Sequence, residues 1–310
     1  MFRSASIKTS LALFSAALSF VTLSANAELP SSVNLIVPYK AGGGVDAYAR
    51  ALRNASMETD RSVFTVLNRP GAGGVNGALA LSRAPADGKS SLLVSASSFL
   101  LSSKISGATF DPLQAFTAVA KLGSLNTAVV VPINSPHSNV EELLEALREN
   151  PDAYRWSHPG RGSFHYLSGV EFLAANGLSV KDVPFNGGAS TRVSLMGEHV
   201  NFSLMGVQQA KGFTDFLQVL AVDAAERHHL FPNVPTFKEV SGTHEVLASD
   251  IILFVSRETD PDLQTNIKRY LETLCLSDDF ARSLEKMGLK AQCDTTSNLD
   301  ESMQGLLKRF

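Results

Sequence analysis

Short runs of β-branched and apolar residues alternate along this chain with longer segments whose apolar positions recur every three or four residues. Val33 to Val37 reads as a buried strand ended by Pro38. Asp46 to Ser56 follows, with Tyr48, Ala51, Leu52 and Ala55 on one helical face. Val63 to Leu67 and Ser91 to Ser95 are further strands, with a short helix from Asn76 to Arg83 between them. This βαβαβ order predicts a parallel sheet with helices on its faces. Val119 to Leu122 and Thr127 to Val131 add strands, the second ended by Pro132.

A second α/β set opens near residue 138. Asn139 starts a helix over Val140 to Glu149, with Glu141 and Glu142 in its first turn, where acidic side chains complement the helix dipole. Strands are predicted at Tyr154 to Ser157, Val180 to Pro184, Asn201 to Met205 and Leu217 to Val222. Helices are predicted from Gly162-Ser163 to Ala175 and from Gly187-Gly188 to Met196. Ile251 to Val255 is an apolar run able to cross back to the first set. The remainder reads as helices at Pro261 to Leu276, Asp279 to Met287 and from Leu299, with a strand near Leu289. The halves share one theme, a strand followed by a glycine-rich turn and a helix start. That predicts two similar lobes, with ligands at the carboxyl ends of strands beside helix N-termini.

The N-terminus reads as a leader. Arg3 and Lys8 precede an apolar run from Leu11 to Leu23, too short to span a bilayer, and Ala25-Asn26-Ala27 has the form of a cleavage site. Residues 1–27 are therefore expected to be a signal peptide, which leaves 283 of the 310 residues. The leader holds two of the 27 basic residues and no acidic one, so the net charge goes from −3 to −5 on cleavage. The balance of 27 basic against 30 acidic residues, without a basic cluster, argues against a nucleic-acid or anionic-membrane surface. Two cysteines exclude a four-ligand zinc site. In an exported protein Cys275 and Cys293 admit two readings, a disulfide or two buried thiols.

Four loops stand between strand and helix: Pro38 to Asp46, Asn68 to Gly77, Gly160 to His165 and Val183 to Ala189. Glycines there expose backbone N–H groups and admit a ligand closely. The first is neither G-x-G-x-x-G nor a Walker A loop, and Asp46 is expected to cap the helix it precedes. Arg161 is either an anion partner or a solvated surface side chain. Catalysis finds little support. Ser163 lies in Gly-Arg-Gly-Ser-Phe, not in G-x-S-x-G, and Ser163 and His165 stand two apart at a helix start, where side chains diverge. His228-His229 is adjacent and no H-x-x-x-H occurs, so no metal is expected, and the pair reads as surface. Trp156, the single tryptophan, is expected in the core.

These loops resemble the receptors of the tripartite tricarboxylate transporter system, the TctC or Bug family. The resemblance rests on Val37-Pro38-Tyr39 with Gly42-Gly43-Gly44-Val45-Asp46, Asn68 to Gly74, Ala84-Pro85-Ala86-Asp87-Gly88, Asp111-Pro112 through Phe116, Val183-Pro184-Phe185 with Gly187-Gly188, and Pro232 to Thr236. It implies an α/β fold of the type II periplasmic binding protein class, with two Rossmann-like lobes and a ligand cleft between them. The implied lobes are 28–128 plus 249–310, and 129–248. The implied function is capture of a small carboxylate, an amino acid or a pyridine carboxylate in the periplasm by a monomer, without cofactor, and delivery to membrane permease subunits. A ligand sensor read by a sensor kinase is the alternative, and a secreted hydrolase the next. Implied ligand contacts are Tyr39, Gly43, Gly44 and Asp46 on the first lobe, with Ser97 and Ser98 after its third strand. On the second lobe they are Gly162, Ser163, Phe185 and Gly188. The chain departs from the family at Tyr166, which stands where a His is usual, with His165 one position early. It departs also at Val170, Phe185-Asn186 and Leu204 to Gln208.

Overall fold

The computed structural model describes residues 28–105 and 111–309, so the expected leader lies outside the described residues. The first set of elements is β1 (Ser32–Val37), α1 (Gly44–Met57), β2 (Val63–Asn68), α2 (Val75–Ser82), β3 (Ser90–Ser95), α3 (Ala96–Ile105), α4 (Pro112–Ala115) and β4 (Phe116–Leu125). The second is β5 (Thr127–Pro132), α5 (Val140–Glu149), β6 (Arg155–His158), α6 (Phe164–Ala175), β7 (Lys181–Pro184), α7 (Gly188–Met196), β8 (Phe202–Gly206), β9 (Leu217–Asp223) and α8 (Phe237–Ser241). The chain then returns as β10 (Ser249–Ser256), α9 (Pro261–Cys275), α10 (Asp278–Lys286) and α11 (Leu299–Arg309).

Two five-stranded sheets result, ordered β2-β1-β3-β10-β4 and β7-β6-β8-β5-β9. The two orders correspond strand for strand. In each, three strands are parallel and a fourth, arriving from the other lobe, runs antiparallel to both its neighbours. The sheets are therefore mixed and not parallel throughout. β10 enters from the second lobe and β5 from the first, so each meets its sheet head to tail. The first crossing is Asn126, between β4 and β5, and the expected boundary after residue 128 falls inside β5.

Helical periodicity explains the packing. Val140, Leu143, Leu144 and Leu147 of α5 are buried together, and the Asn139 side chain accepts from the Glu142 N–H at 2.9 Å. Leu263, Ile267, Tyr270, Leu271 and Leu274 give α9 the same stripe against the first lobe's core. Each such side chain contributes roughly 1.5–3 kcal/mol on burial. Trp156 is buried in the second lobe's core, its indole N–H donating to the Val180 carbonyl at 2.9 Å.

One local expectation fails, and one helix goes unpredicted. The strand near Leu289 does not form: Gly288 turns the chain at φ +73°, Leu289 enters the core, and only Lys121 and Asp294 bridge at the edge of β4. α3, absent from the predicted elements, follows β3 directly, so Ser97 and Ser98 sit in a helix's first turn. Cys275, at the end of α9, and Cys293 form a disulfide with Cα atoms 5.9 Å apart. His228 is half-buried and stacks on exposed His229, ring centroids 4.4 Å apart. Among the described residues, no helix is long and apolar enough to cross a membrane and no cluster of ligating side chains fits a metal ion.

Candidate functional site

The carboxyl ends of both sheets face one cleft of about 440 Å³, within the range of small-molecule sites. Its walls are the loop after β1, the glycine turn after β2, the start of α3, the loop after β6, the loop after β7 and the turn after β8. The lobes touch across it. Ser102 Oγ of α3 donates to the Gly162 carbonyl at 2.9 Å, the Phe164 N–H donates to Ser98 Oγ at 3.0 Å, and Gln209 Nε2 donates to the Gly42 carbonyl at 3.4 Å. The Phe164 ring is buried in the first lobe's core, plugging the seam.

On the first lobe, Tyr39, Gly43 and Gly44 line the cleft. The Tyr39 hydroxyl donates to the Gly73 carbonyl at 3.4 Å, and burial pushes its pKa up, so it is a donor at any working pH. Gly44 is closely packed: a Cβ there would come within 2.6 Å of Gln208 Nε2 and 2.8 Å of Leu125, so those side chains would have to shift. Asp46 does not line the cleft, and it is not the N-cap either: Gly43 holds that position and Asp46 is the third residue of α1. Its carboxylate, 2% exposed, accepts from the Gly42 N–H at 2.9 Å, Arg50 Nε at 2.8 Å, Arg50 Nη2 at 3.2 Å and Asn68 Nδ2 at 2.9 Å. The expected ligand contact is corrected to a brace behind the glycine loop, since a carboxylate surrounded by four donors has no reason to face a solute.

The same sorting applies to the serines. Ser98 lines the cleft, whereas Ser97 is turned to the crossing segment, its N–H donating to Ser249 Oγ at 3.0 Å and its hydroxyl to the Ala248 carbonyl at 3.3 Å. Ser97 is therefore also corrected, from ligand contact to hinge support.

The second lobe presents Gly162, Ser163, Phe185 and Gly188. Its loop after β6 is built on His158. The Gly160 N–H donates to His158 Nδ1 at 3.1 Å, which places the ring proton on Nε2, 2.9 Å from Asp182 Oδ2. Burial holds the imidazole below its ordinary pKa, against the pull of Asp182. Arg161 also faces Asp182, Nε to Oδ2 and Nη2 to Oδ1 at 3.0 Å each. Desolvation raises the Asp182 pKa, but the bonds from His158 and Arg161 outweigh it and hold the carboxyl below its ordinary value. Arg161 lines the cleft as an exposed side chain, 64% accessible, that also carries an ion pair to Asp182. Ser163 caps α6, accepting from the Tyr166 N–H at 3.2 Å and donating to the Gly160 carbonyl at 2.6 Å.

Two cleft residues escape a reading by motif. His165 is 7% exposed with Nδ1 2.9 Å from Thr127 Oγ1, and burial followed by the neighbouring His158 lowers its pKa to about 3. Gln208 lines the cleft beside Gly44 and Gly206, and its amide has no hydrogen-bond partner among the described residues. A helix start near a glycine loop pointed at the first, and an amide-bearing stretch after β8 at the second. Both reach the cleft from the second lobe, His165 on α6 and Gln208 after β8. Nothing here resembles a nucleophile and its base, since the Ser163 hydroxyl serves the loop and His165 serves Thr127.

The chain is similar to known proteins over most of its length. The model of the tripartite tricarboxylate transporter family receptor matches residues 49–309. The UPF0065 protein in the tcbD-tcbE intergenic region of Pseudomonas sp. (strain P51) is 26% identical over 262 residues, covering 83% of this chain and 78% of that one. Among solved structures, R. palustris Rpa4515 with adipate superposes with a TM-score of 0.83 at 23% identity, covering 90% of this chain and 95% of that one. MatC of Rhodopseudomonas palustris with bound malate does so with a TM-score of 0.76 at 21% identity, covering 91% and 98%. At that identity the two structures show the fold, and the family model shows the lineage. The chain belongs to the receptors of the tripartite tricarboxylate transporter family.

Proposed function

We propose that this protein is a periplasmic receptor that closes two lobes over one small carboxylate and delivers it to a membrane permease. The observation that carries the reading is the convergence of helix N-termini from both lobes on one cleft. α1 starts there at Gly44, α6 at Phe164 and α7 at Gly188. Helix N-termini carry partial positive charge and unsatisfied N–H groups, so they hold an anion without a cationic side chain. The exposed Arg161 at the rim, paired to Asp182, need not supply that charge. Adipate and malate, held by the two R. palustris relatives, are carboxylates. The contacts assigned are Tyr39, Gly43, Gly44, Ser98, Gly162, Ser163, Phe185 and Gly188. The cleft is complete within one chain, so a monomer suffices. The moving bodies are the two sheets with their helices, hinged at Asn126 and at Leu247 to Ser249.

A thermal-shift screen of the purified protein against small carboxylates tests the capture. A ligand at about 100 times its Kd stabilises the folded state by about 2.7 kcal/mol, a readily visible shift. No response to any carboxylate would sink the reading. Uptake of the identified ligand by cells lacking this chain tests delivery. Restored uptake on re-expression supports it, and unchanged uptake without the chain transfers the role to sensing.

A further inference from the structure

The hydrogen-bonding groups left without partners at the hinge end of the cleft are neutral. Thr127 and Gly206 are register partners on β5 and β8, which puts the Thr127-bound ring of His165 and the turn holding Gln208 side by side. His165 Nε2 has no hydrogen-bond partner among the described residues, and neither does the Gln208 amide. Leu125 completes this floor.

Of the cations near it, Arg161 and Arg50 carry ion pairs, Arg192 Nε is buried without a hydrogen-bond partner among the described residues and Lys40 is exposed. Arg161 pairs with Asp182. Arg192, behind the floor, donates from Nη1 to Gln209 Oε1 at 2.9 Å and lies 4.1 Å over the Phe213 ring. Arg50 pairs with Asp46 behind the glycine loop. Lys40 lines the cleft but is solvent-exposed. The helix N-termini provide for one carboxylate. A second carboxylate on this floor would meet the Gln208 amide and a neutral imidazole, neither of which brings a positive charge.

We infer that the ligand is a carboxylic acid monoamide, its carboxylate on the helix N-termini and its primary amide read by Gln208 and His165. The inference rests on the carboxylate-receptor reading and refines it. An amide brings one acceptor and two donors, which match the donor and acceptor of the Gln208 side chain in a two-bond pair. A carboxylate brings acceptors only and leaves Gln208 Oε1 facing an oxygen. His165 is neutral above about pH 3, so it adds a single donor or acceptor and no charge.

Calorimetric titration of the purified protein with succinate against succinamate, and adipate against adipamate, tests this. The expected result is a monoamide bound at least tenfold more tightly than the diacid of the same length. In Gln208→Leu that preference falls to near equality. In the near-isosteric Gln208→Glu, diacid binding falls at least a further tenfold at pH 7 and monoamide binding falls less. A diacid bound as tightly as its monoamide, or a preference that survives Gln208→Leu, overturns the inference and leaves the carboxylate receptor standing. Failure of every member of both pairs to bind overturns the two together.

Discussion

Asn68 Nδ2, at the end of β2, donates to Asp46 Oδ1 at 2.9 Å and to the Tyr39 carbonyl at 3.0 Å. One amide thus ties the start of the glycine loop to the first turn of the helix that follows it. Asp46→Ala leaves the Gly42 N–H without its side-chain acceptor and the Asn68 amide with the Tyr39 carbonyl alone. The expected cost is about 1–3 kcal/mol of stability, with Arg50 contributing little because it is 49% exposed and rehydrates. Ligand affinity falls as well, since the Gly43 and Gly44 amides lose their brace. Thermal melts and titrations of Asp46→Ala, Asn68→Ala and the double variant check this. Strictly additive effects would mean that the two residues do not act as a unit.

Gly162 and Ser102 meet across the seam. A Cβ on Gly162 would overlap Ser102 Oγ, the atom that donates to the Gly162 carbonyl. Gly162→Ala is expected to hold the lobes apart and weaken ligand binding roughly tenfold, or ~1.4 kcal/mol, with little change in the melting of the ligand-free protein. Adding Ser102→Ala removes the clash and restores part of the affinity. No recovery in the double variant would show that the defect is local to the loop.

Acid should destabilise the fold. Burial holds His158 below its ordinary pKa, His165 at about 3 and His228 at about 4. As pH falls below about 6.5, the unfolded chain takes up protons that the folded chain refuses. The stability these residues contribute is complete above that value and is lost progressively toward pH 4 and 3. Protonation at His158 Nδ1 also removes the acceptor of the Gly160 N–H, so ligand release is expected to accompany it. Urea midpoints measured from pH 7.5 to 4.5 should fall steadily. A midpoint that rises in acid contradicts this account.

The Cys275–Cys293 disulfide ties the end of α9 to the segment along β4 and closes a separation of 18 residues. A loop of that length corresponds to about 3 kcal/mol in the chain-entropy model. Cys275→Ala with Cys293→Ala, or reduction, is expected to lower the melting temperature by several degrees. The cleft lies elsewhere, so ligand affinity measured well below the melt should be unchanged. A loss of affinity would connect the C-terminal segment to the cleft.

Periodicity and punctuation made most of the fold legible. The i, i+3, i+4, i+7 stripe of α5 and its Asn139 cap are local facts, and the helix spans the predicted Val140 to Glu149. The repeated strand, glycine turn and helix start located the loops that line the cleft. Sequence also marked Asp46, Ser97 and Arg161 as polar residues just past the strand ends. It did not show which way they face, because that depends on partners distant in the chain: Asn68 for Asp46, Ser249 for Ser97 and Asp182 for Arg161. α3 was missed because a helix beginning directly after a strand has no turn residues to announce it. β10 and β5 run antiparallel because each crosses between lobes, which no local pattern records. Local propensity and hydrophobic spacing thus determined the elements and the loops. Long-range hydrogen bonds across the sheets and the seam decided which polar groups brace the cleft and which line it, such as Gln208 and His165.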